Sequence, residues 1–143
     1  ARHLAGAVGI DPFAAYFTGL VHDIGKIAIF RVLVDQIRKT DPDFKPTSHL
    51  FKMALTESSI TLSAAICREW GLPNEVCVSL DAQKPSVTSR SGMDLVLYQA
   101  NLYSELVMVR AAGLSDLVTI KSAARARGLD TNQLVEWMKE AEA

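Results

Sequence analysis

The sequence feature that most constrains the fold is an apolar run at residues 19–30, GLVHDIGKIAIF, with two ionisable side chains in its middle. His22 and Asp23 are adjacent, and polar groups inside an apolar segment are costly unless they are hydrogen-bonded, paired or bound to a metal ion. An imidazole nitrogen beside a carboxylate oxygen also suits a divalent cation. Gly25 permits tight backbone geometry, and Lys26 supplies a cation for a phosphate group. This run therefore contains the candidate site.

Helical periodicity dominates the rest of the chain, and no alternating strand pattern competes with it. Gly9 ends a first helix, and Asp11 with Pro12 begins the second, since Asp caps helices and Pro fits the first helical position. The His22-Asp23 doublet is expected near the end of this second helix. Further helices are predicted at 26–39, at 48–70 before the helix breaker Gly71, from Leu72-Pro73 onward, at 93–112, at 115–127 with Ser115 as its cap, and at 130–137. Polar loops are predicted at 40–47 and 84–92. The sequence therefore predicts an all-α fold of about seven or eight helices.

Side-chain spacing gives three local expectations. An apolar face is predicted on the second helix, formed by Phe13, Tyr16, Phe17 and Leu20. Small hydroxyl residues in the long helix favour close helix contacts; they are Ser58, Ser59, Thr61 and Ser63. Cys67 and Cys77 are expected to be buried free thiols, since Cys behaves as a small hydrophobic residue. Trp70 is expected in the core. For Trp137 the pattern leaves two alternatives open, packing on the domain and contact with a partner.

Size and composition favour one globular domain over residues 1–143. Hydrophobic residues make up 49% and charged residues 22%, which argues against disorder. A formal net charge of -1 without a basic cluster argues against nucleic-acid binding. The sequence shows no signal peptide and no membrane-spanning run, so a cytoplasmic location is expected. Because the chain opens directly in a helical pattern without Met, we expect a fragment that lacks its N-terminal portion.

Two motifs carry a resemblance to a known family. GLVHDIGK resembles the HD superfamily of helical, metal-dependent phosphohydrolases, and REWGLP at residues 68–73 resembles the segment W-x-L-P of its HDOD branch. HDOD domains are related to the HD-GYP phosphodiesterases and occur in bacterial signalling proteins. The resemblance covers roughly residues 1–113, whereas residues 114–143 match only loosely.

The ligand set implied by this resemblance is incomplete. The superfamily binds metal through an upstream His, the His-Asp doublet and a downstream Asp. His3 lies too close to the doublet to be the upstream ligand, and the downstream position is similar to Asn101, which is neutral. The further histidines of related cyclic-dinucleotide phosphodiesterases align near Ser59 and residues 82–84, where this chain has none. His22, Asp23 and Asn101 are therefore interpreted as a vestigial site, and neither metal nor catalytic residues are expected.

The resemblance implies a non-catalytic signal-transduction domain that acts through protein–protein contacts. Its partners would be other signalling proteins or domains of the same full-length chain, with neither nucleic acid nor membrane, and a homo-oligomer is compatible with the sequence.

Two alternatives stay open. One is a metal-dependent phosphohydrolase acting on a nucleotide or cyclic dinucleotide, with Fe, Mn or Zn as cofactor and Lys26 facing the phosphate. The other is a sensor that binds a nucleotide without hydrolysing it.

Overall fold

The protein, described as a computed structural model over residues 1–40 and 49–142, is helical wherever regular structure occurs in those two stretches. The helices of these stretches are α1 (Arg2–Ala7), α2 (Pro12–Val21), α3 (Ile24–Thr40), α4 (His49–Glu69), α5 (Asn74–Asp81), α6 (Gly92–Ala111), α7 (Leu117–Ala126) and α8 (Thr131–Glu142). The all-α prediction with seven or eight helices is confirmed. The predicted loop at 40–47 lies outside the described residues, except for Thr40, which is the last residue of α3.

Helix starts follow the local capping chemistry. The Asp11 carboxylate accepts hydrogen bonds from the backbone N–H groups of Phe13 at 3.2 Å and Ala14 at 3.0 Å, as the sequence predicts. At the start of α7 the cap is Asp116, which accepts from the Thr119 N–H at 2.7 Å. The prediction of a cap at Ser115 is wrong by one residue, because the Asp116 carboxylate reaches that N–H group. This bond lowers the pKa of Asp116.

The chain divides into two compact units, residues 1–97 and 98–143. In the first unit, α3 packs on α4, α4 on α5, and α2 on both α1 and α5. The core cluster of this unit is contributed by α2, α4, α5 and the start of α6; it comprises Val21, Ala64, Cys67, Val76, Cys77, Leu80 and Leu97, with Phe17 and Leu72 packed against it. Both cysteines are buried and free, as predicted. Burial, and to a smaller extent the neighbouring Cys77, raises the pKa of the Cys67 thiol.

One apolar expectation fails in the first unit, and one apolar face lies on the surface. Trp70 is 60% exposed at the end of α4, so its predicted core position is wrong. It is followed by Gly71, whose φ of +69° ends the helix in the left-handed region that glycine tolerates best. On α2, the face built from Phe13, Tyr16 and Leu20 is apolar as predicted, but it is exposed. Burial falls instead on the opposite side of that helix, at Ala15, Thr18 and Val21.

The second unit is organised around Tyr103. The Tyr103 hydroxyl accepts a hydrogen bond from the Asp130 N–H at 2.8 Å and lies 3.3 Å from the Asp130 carbonyl oxygen. Its ring meets Trp137 edge-on, with centroids 4.7 Å apart, so Trp137 docks within this unit. Burial raises the pKa of Tyr103. Buried apolar side chains complete the core of the unit; they are Leu106, Ile120, Ala124, Leu129, Leu134 and Met138.

Among the described helices, none combines the length and the apolar character that crossing a membrane requires.

Candidate functional site

The candidate site lies at the turn between α2 and α3. The helix α2 ends at Val21, and His22 keeps a right-handed helical conformation with φ of -61° and ψ of -30°. The helix α3 begins at Ile24, and its first turn includes Gly25 and Lys26. The prediction that the doublet lies near the end of the second helix is confirmed. The turn is short, so the His22 and Asp23 side chains are presented at one helix junction.

A serine on α4 holds this turn in place. The Ser63 hydroxyl accepts a hydrogen bond from the Gly25 N–H at 2.9 Å and donates to the His22 carbonyl oxygen at 2.8 Å. Ser63 is fully buried, and Ser59, one turn earlier on α4, is buried as well. The Ser59 hydroxyl donates to the Thr56 carbonyl oxygen at 3.0 Å. The expectation that these hydroxyl residues permit close helix contacts is confirmed for Ser59 and Ser63.

Gly25 makes that contact sterically feasible. A Cβ atom at position 25 would lie 2.1 Å from the Ser59 carbonyl oxygen, 2.6 Å from the Ser63 nitrogen and 2.7 Å from the Ser63 hydroxyl oxygen. These distances are far inside van der Waals contact, and two of the three atoms belong to the α4 backbone. Glycine is therefore required at this position by the approach of α3 to α4.

The two ring nitrogens of the His22 imidazole have different surroundings. Its Nδ1 lies 2.5 Å from the Gly19 carbonyl oxygen, which only accepts, so Nδ1 carries the proton. Its Nε2 is enclosed and lies 3.2 Å from the Asp23 Oδ2 atom, yet the direction of approach does not give a hydrogen bond. We therefore regard the Nε2 contact as a close approach of polar groups. With the proton on Nδ1, Nε2 carries the lone pair of the ring.

The carboxylate of Asp23 is engaged on both oxygens. Its Oδ1 pairs with the Lys26 ammonium group at 2.7 Å, one helical turn further along the chain. Its Oδ2 is the atom that approaches His22. The Asp23 and Lys26 side chains are 42% and 41% exposed, so solvent screens this ion pair and its contribution to stability is small. Lys26 thus contacts the doublet directly while its side chain stays partly exposed.

The described residues at this turn supply two candidate metal ligands, His22 and Asp23. Within residues 1–40 and 49–142, no group of three or more His, Cys, Asp or Glu side chains lies close enough together to hold a metal ion. A protein site for such an ion normally uses three or more protein ligands. Asn101, the third position of the predicted vestigial set, is exposed on α6 in the second unit, and its role stays a prediction.

A second polar cluster of the first unit joins the end of α4 to the end of α5. Asp81, the last residue of α5, binds Lys84 at 2.7 Å and also pairs with Arg68 of α4. Burial raises the pKa of Asp81, but the hydrogen bonds from Lys84 and Arg68 outweigh this effect, so its pKa is lowered overall. The sequence analysis did not find this cluster, because Arg68 and Asp81 meet only when α4 and α5 pack together.

Comparison with known families agrees with this architecture. The HDOD domain family matches residues 1–85, a range that begins before α1 and includes the turn, Ser63 and the segment W-x-L-P. Comparisons with curated proteins and with solved structures find no match. The family match covers more than half of the 143 residues. The chain therefore belongs to the HDOD domain family.

Proposed function

We propose that this protein is a non-catalytic signal-transduction domain that acts through protein–protein contacts in a bacterial signalling protein. The observation that carries the proposal is that both carboxylate oxygens of Asp23 already contact neighbouring side chains. One of its oxygens is held by the Lys26 ammonium group at 2.7 Å, and the other faces His22. A carboxylate already compensated by a neighbouring lysine is a poorer ligand for a divalent cation than a free one. The Asp23 carboxylate is therefore engaged within the turn, which supports a structural role for the doublet.

The partners we propose are other signalling proteins or domains of the same full-length chain, in the cytoplasm. This rests on family membership and on the apolar surface of the first unit, where large hydrophobic side chains remain exposed. Exposed apolar patches of this kind mark interaction surfaces more often than catalytic ones. A fold does not determine function by itself, so the proposal depends on the test below.

The test combines metal content with turnover. The purified protein and its Asn101→Asp variant are analysed by elemental mass spectrometry, and both are assayed against nucleotides and cyclic dinucleotides with added Mn²⁺ or Fe²⁺. We expect metal far below one ion per chain in the parent protein, more metal in the variant, and no turnover by the parent. About one ion per chain in the parent, or turnover that is lost in His22→Ala, would contradict the proposal.

A metal-dependent phosphohydrolase is the second candidate, and the orientation of His22 favours it. Histidines that bind metals usually donate their other ring N–H to a carbonyl or carboxylate oxygen, as Nδ1 does here towards Gly19. That arrangement leaves Nε2 to act as a ligand beside Asp23. Fe, Mn or Zn would polarise a phosphoester when bound. Lys26 would have to leave Asp23 to face the phosphate, and further ligands would be needed besides those that the described residues place at this turn.

The variant Lys26→Met separates the two candidates. It removes the ammonium group from the Asp23 carboxylate and keeps most of the apolar stem of the side chain. If the site is vestigial, metal content stays low in this variant, since two adjacent ligands bind weakly. If the site is catalytic, the variant still binds metal but loses turnover, because Lys26 then serves the substrate.

A further inference from the structure

The outer face of α2 has an unusual composition for a solvent-exposed surface. The helix, PFAAYFTGLV, has no charged residue on any side. Phe13, Tyr16 and Leu20 lie on one face at helical spacing and are 72%, 53% and 65% exposed. A helix that is apolar on all sides is normally buried in a larger core or an assembly. This face therefore has the character of an interface.

The same face carries a protruding side chain and a depression that can receive it. The depression has a volume of 320 Å³ and is lined by Arg2, Asp11, Pro12, Phe13 and Tyr16. Leu20 follows Phe13 by seven residues, which is two helical turns or about 10 Å along the axis. A two-fold interface requires one surface to carry both complementary features, because each copy then contributes the same residues.

We propose that a second copy of this chain docks on this face, with its α2 antiparallel to the first. In this arrangement the Leu20 side chain of each copy enters the depression beside Phe13 of the other copy. Tyr16, near the middle of the ten-residue helix, then lies close to the two-fold axis and faces its own counterpart. Antiparallel packing of two helices is common in helical assemblies.

Charges at the two ends of the face are compatible with this arrangement. The N-terminal end carries Arg2 and Asp11, and the C-terminal end is followed by Asp23 and Lys26. An antiparallel pair brings the N-terminal end of one copy towards the C-terminal end of the other. Asp23 and Lys26 already pair with each other at 2.7 Å, so the C-terminal end adds no net charge and no net like-charge repulsion opposes association.

The area predicts a weak, reversible dimer. Aromatic side chains bury about 150–250 Å² when fully covered, and Phe13, Tyr16 and the smaller Leu20 are each between half and three quarters exposed, so together they offer roughly 400 Å² per copy. With the rim residues, two copies would bury about 1,000 Å² in total, near the lower limit for a specific interface. We therefore expect monomers at about 5 μM and mostly dimers at about 500 μM.

This inference rests on the proposed function, for which it supplies a partner and a surface. The two can fail separately. Turnover by the parent protein would contradict the proposed function whatever the oligomeric state, whereas the dimer is tested by its mass alone.

The experiment is sedimentation velocity of the full chain at both concentrations. Tyr16→Glu and Leu20→Glu each place a charge in the proposed interface at an exposed position, and circular dichroism checks that each variant folds. Val118→Glu is the matched control, since Val118 is apolar and 79% exposed but lies on α7. We expect the parent and Val118→Glu to dimerise alike, and both α2 variants to stay monomeric at about 500 μM, a loss of at least roughly tenfold in affinity.

A Tyr16→Cys variant tests the register even if a charged variant fails to fold. Facing residues near a two-fold axis can approach within the range that a disulfide spans, so oxidation should yield a covalent dimer. Cys67 and Cys77 are buried and do not compete. A Val118→Cys control should remain largely uncrosslinked. Three results would overturn the proposal: a parent protein that is monomeric throughout, a dimer that both α2 variants retain, or equal crosslinking of the two cysteine variants.

Discussion

Replacing Gly25 with alanine tests whether the contact between α3 and α4 limits the stability of the fold. The added methyl group would meet the Ser59 carbonyl oxygen at 2.1 Å and the Ser63 nitrogen at 2.6 Å. Both are backbone atoms in the interior of α4, so neither can rotate away as a side chain would. The two helices must therefore separate, and separation breaks the hydrogen bond from the Gly25 N–H to the Ser63 hydroxyl.

Three contributions to the free energy of unfolding set the magnitude. Two of them lower this free energy, and the third raises it. Overpacking of a well-packed contact costs about 1–3 kcal/mol. Each buried hydrogen bond lost at Ser63 costs about 1 kcal/mol, and two are at risk. Alanine is the better helix former by about 1 kcal/mol, which offsets part of the loss. We expect a net destabilisation of about 3 kcal/mol, a large fraction of the roughly 5–15 kcal/mol that stabilises a domain.

The assay is urea denaturation followed by circular dichroism at 222 nm. Gly6→Ala is the control, since Gly6 also lies in a helix but a Cβ atom there has no neighbour within 4 Å. We expect Gly6→Ala to leave stability unchanged or to raise it by up to about 1 kcal/mol. If Gly25→Ala unfolds within about 0.5 kcal/mol of the parent protein, the close contact is not what the structure indicates and the reasoning is refuted.

Three further predictions concern single side chains, each measured by the same denaturation experiment. Ser63→Ala leaves the Gly25 N–H and the His22 carbonyl without their partner, so we expect a loss of about 2–3 kcal/mol; a loss below about 0.5 kcal/mol would mean that water replaces the hydroxyl. Asp81→Asn removes two ion pairs of a partly exposed group and should cost about 1 kcal/mol at neutral pH. Because the folded pKa of Asp81 is lowered, its stabilisation is present above the unfolded pKa of about 4 and is lost as the pH falls through the folded pKa; a difference between parent and variant that persists below that range would contradict this assignment. Trp70→Ala should cost less than about 1 kcal/mol because Trp70 is 60% exposed, whereas a loss of about 3 kcal/mol would restore its predicted core position.

Local chemistry accounts for what the sequence predicted well. Asp11 and Pro12 begin α2 because capping depends on residues two or three positions apart, all visible in the sequence. Gly71 ends α4 for an equally local reason, its positive φ. The position of the doublet near the end of the second helix followed from the same kind of pattern. These features involve no long-range contact, so the chain in isolation carries enough information to find them.

Contacts between distant residues account for what was missed. Ser63 was noticed only as one of several hydroxyl residues, because its partners lie 38 and 41 positions away and become neighbours only when α3 packs on α4. The wrong position of Trp70 and the exposure of the α2 face have a similar origin. Periodicity shows which residues share a face of a helix, but it does not show which of two apolar faces receives the core.

The two hydrogen bonds of the Ser63 hydroxyl go to main-chain atoms of the turn. They therefore do not involve the side chains of the candidate site. His22 contributes its carbonyl oxygen and Gly25 its amide hydrogen, while the imidazole, the Asp23 carboxylate and the Lys26 ammonium group lie outside these two bonds. Substitutions at positions 23 and 26 therefore leave these two bonds in place, whereas a substitution at position 22 removes the bond from Nδ1 to the Gly19 carbonyl oxygen. The side chains that face the site can thus change while the hydrogen bonds that join the turn to α4 stay the same.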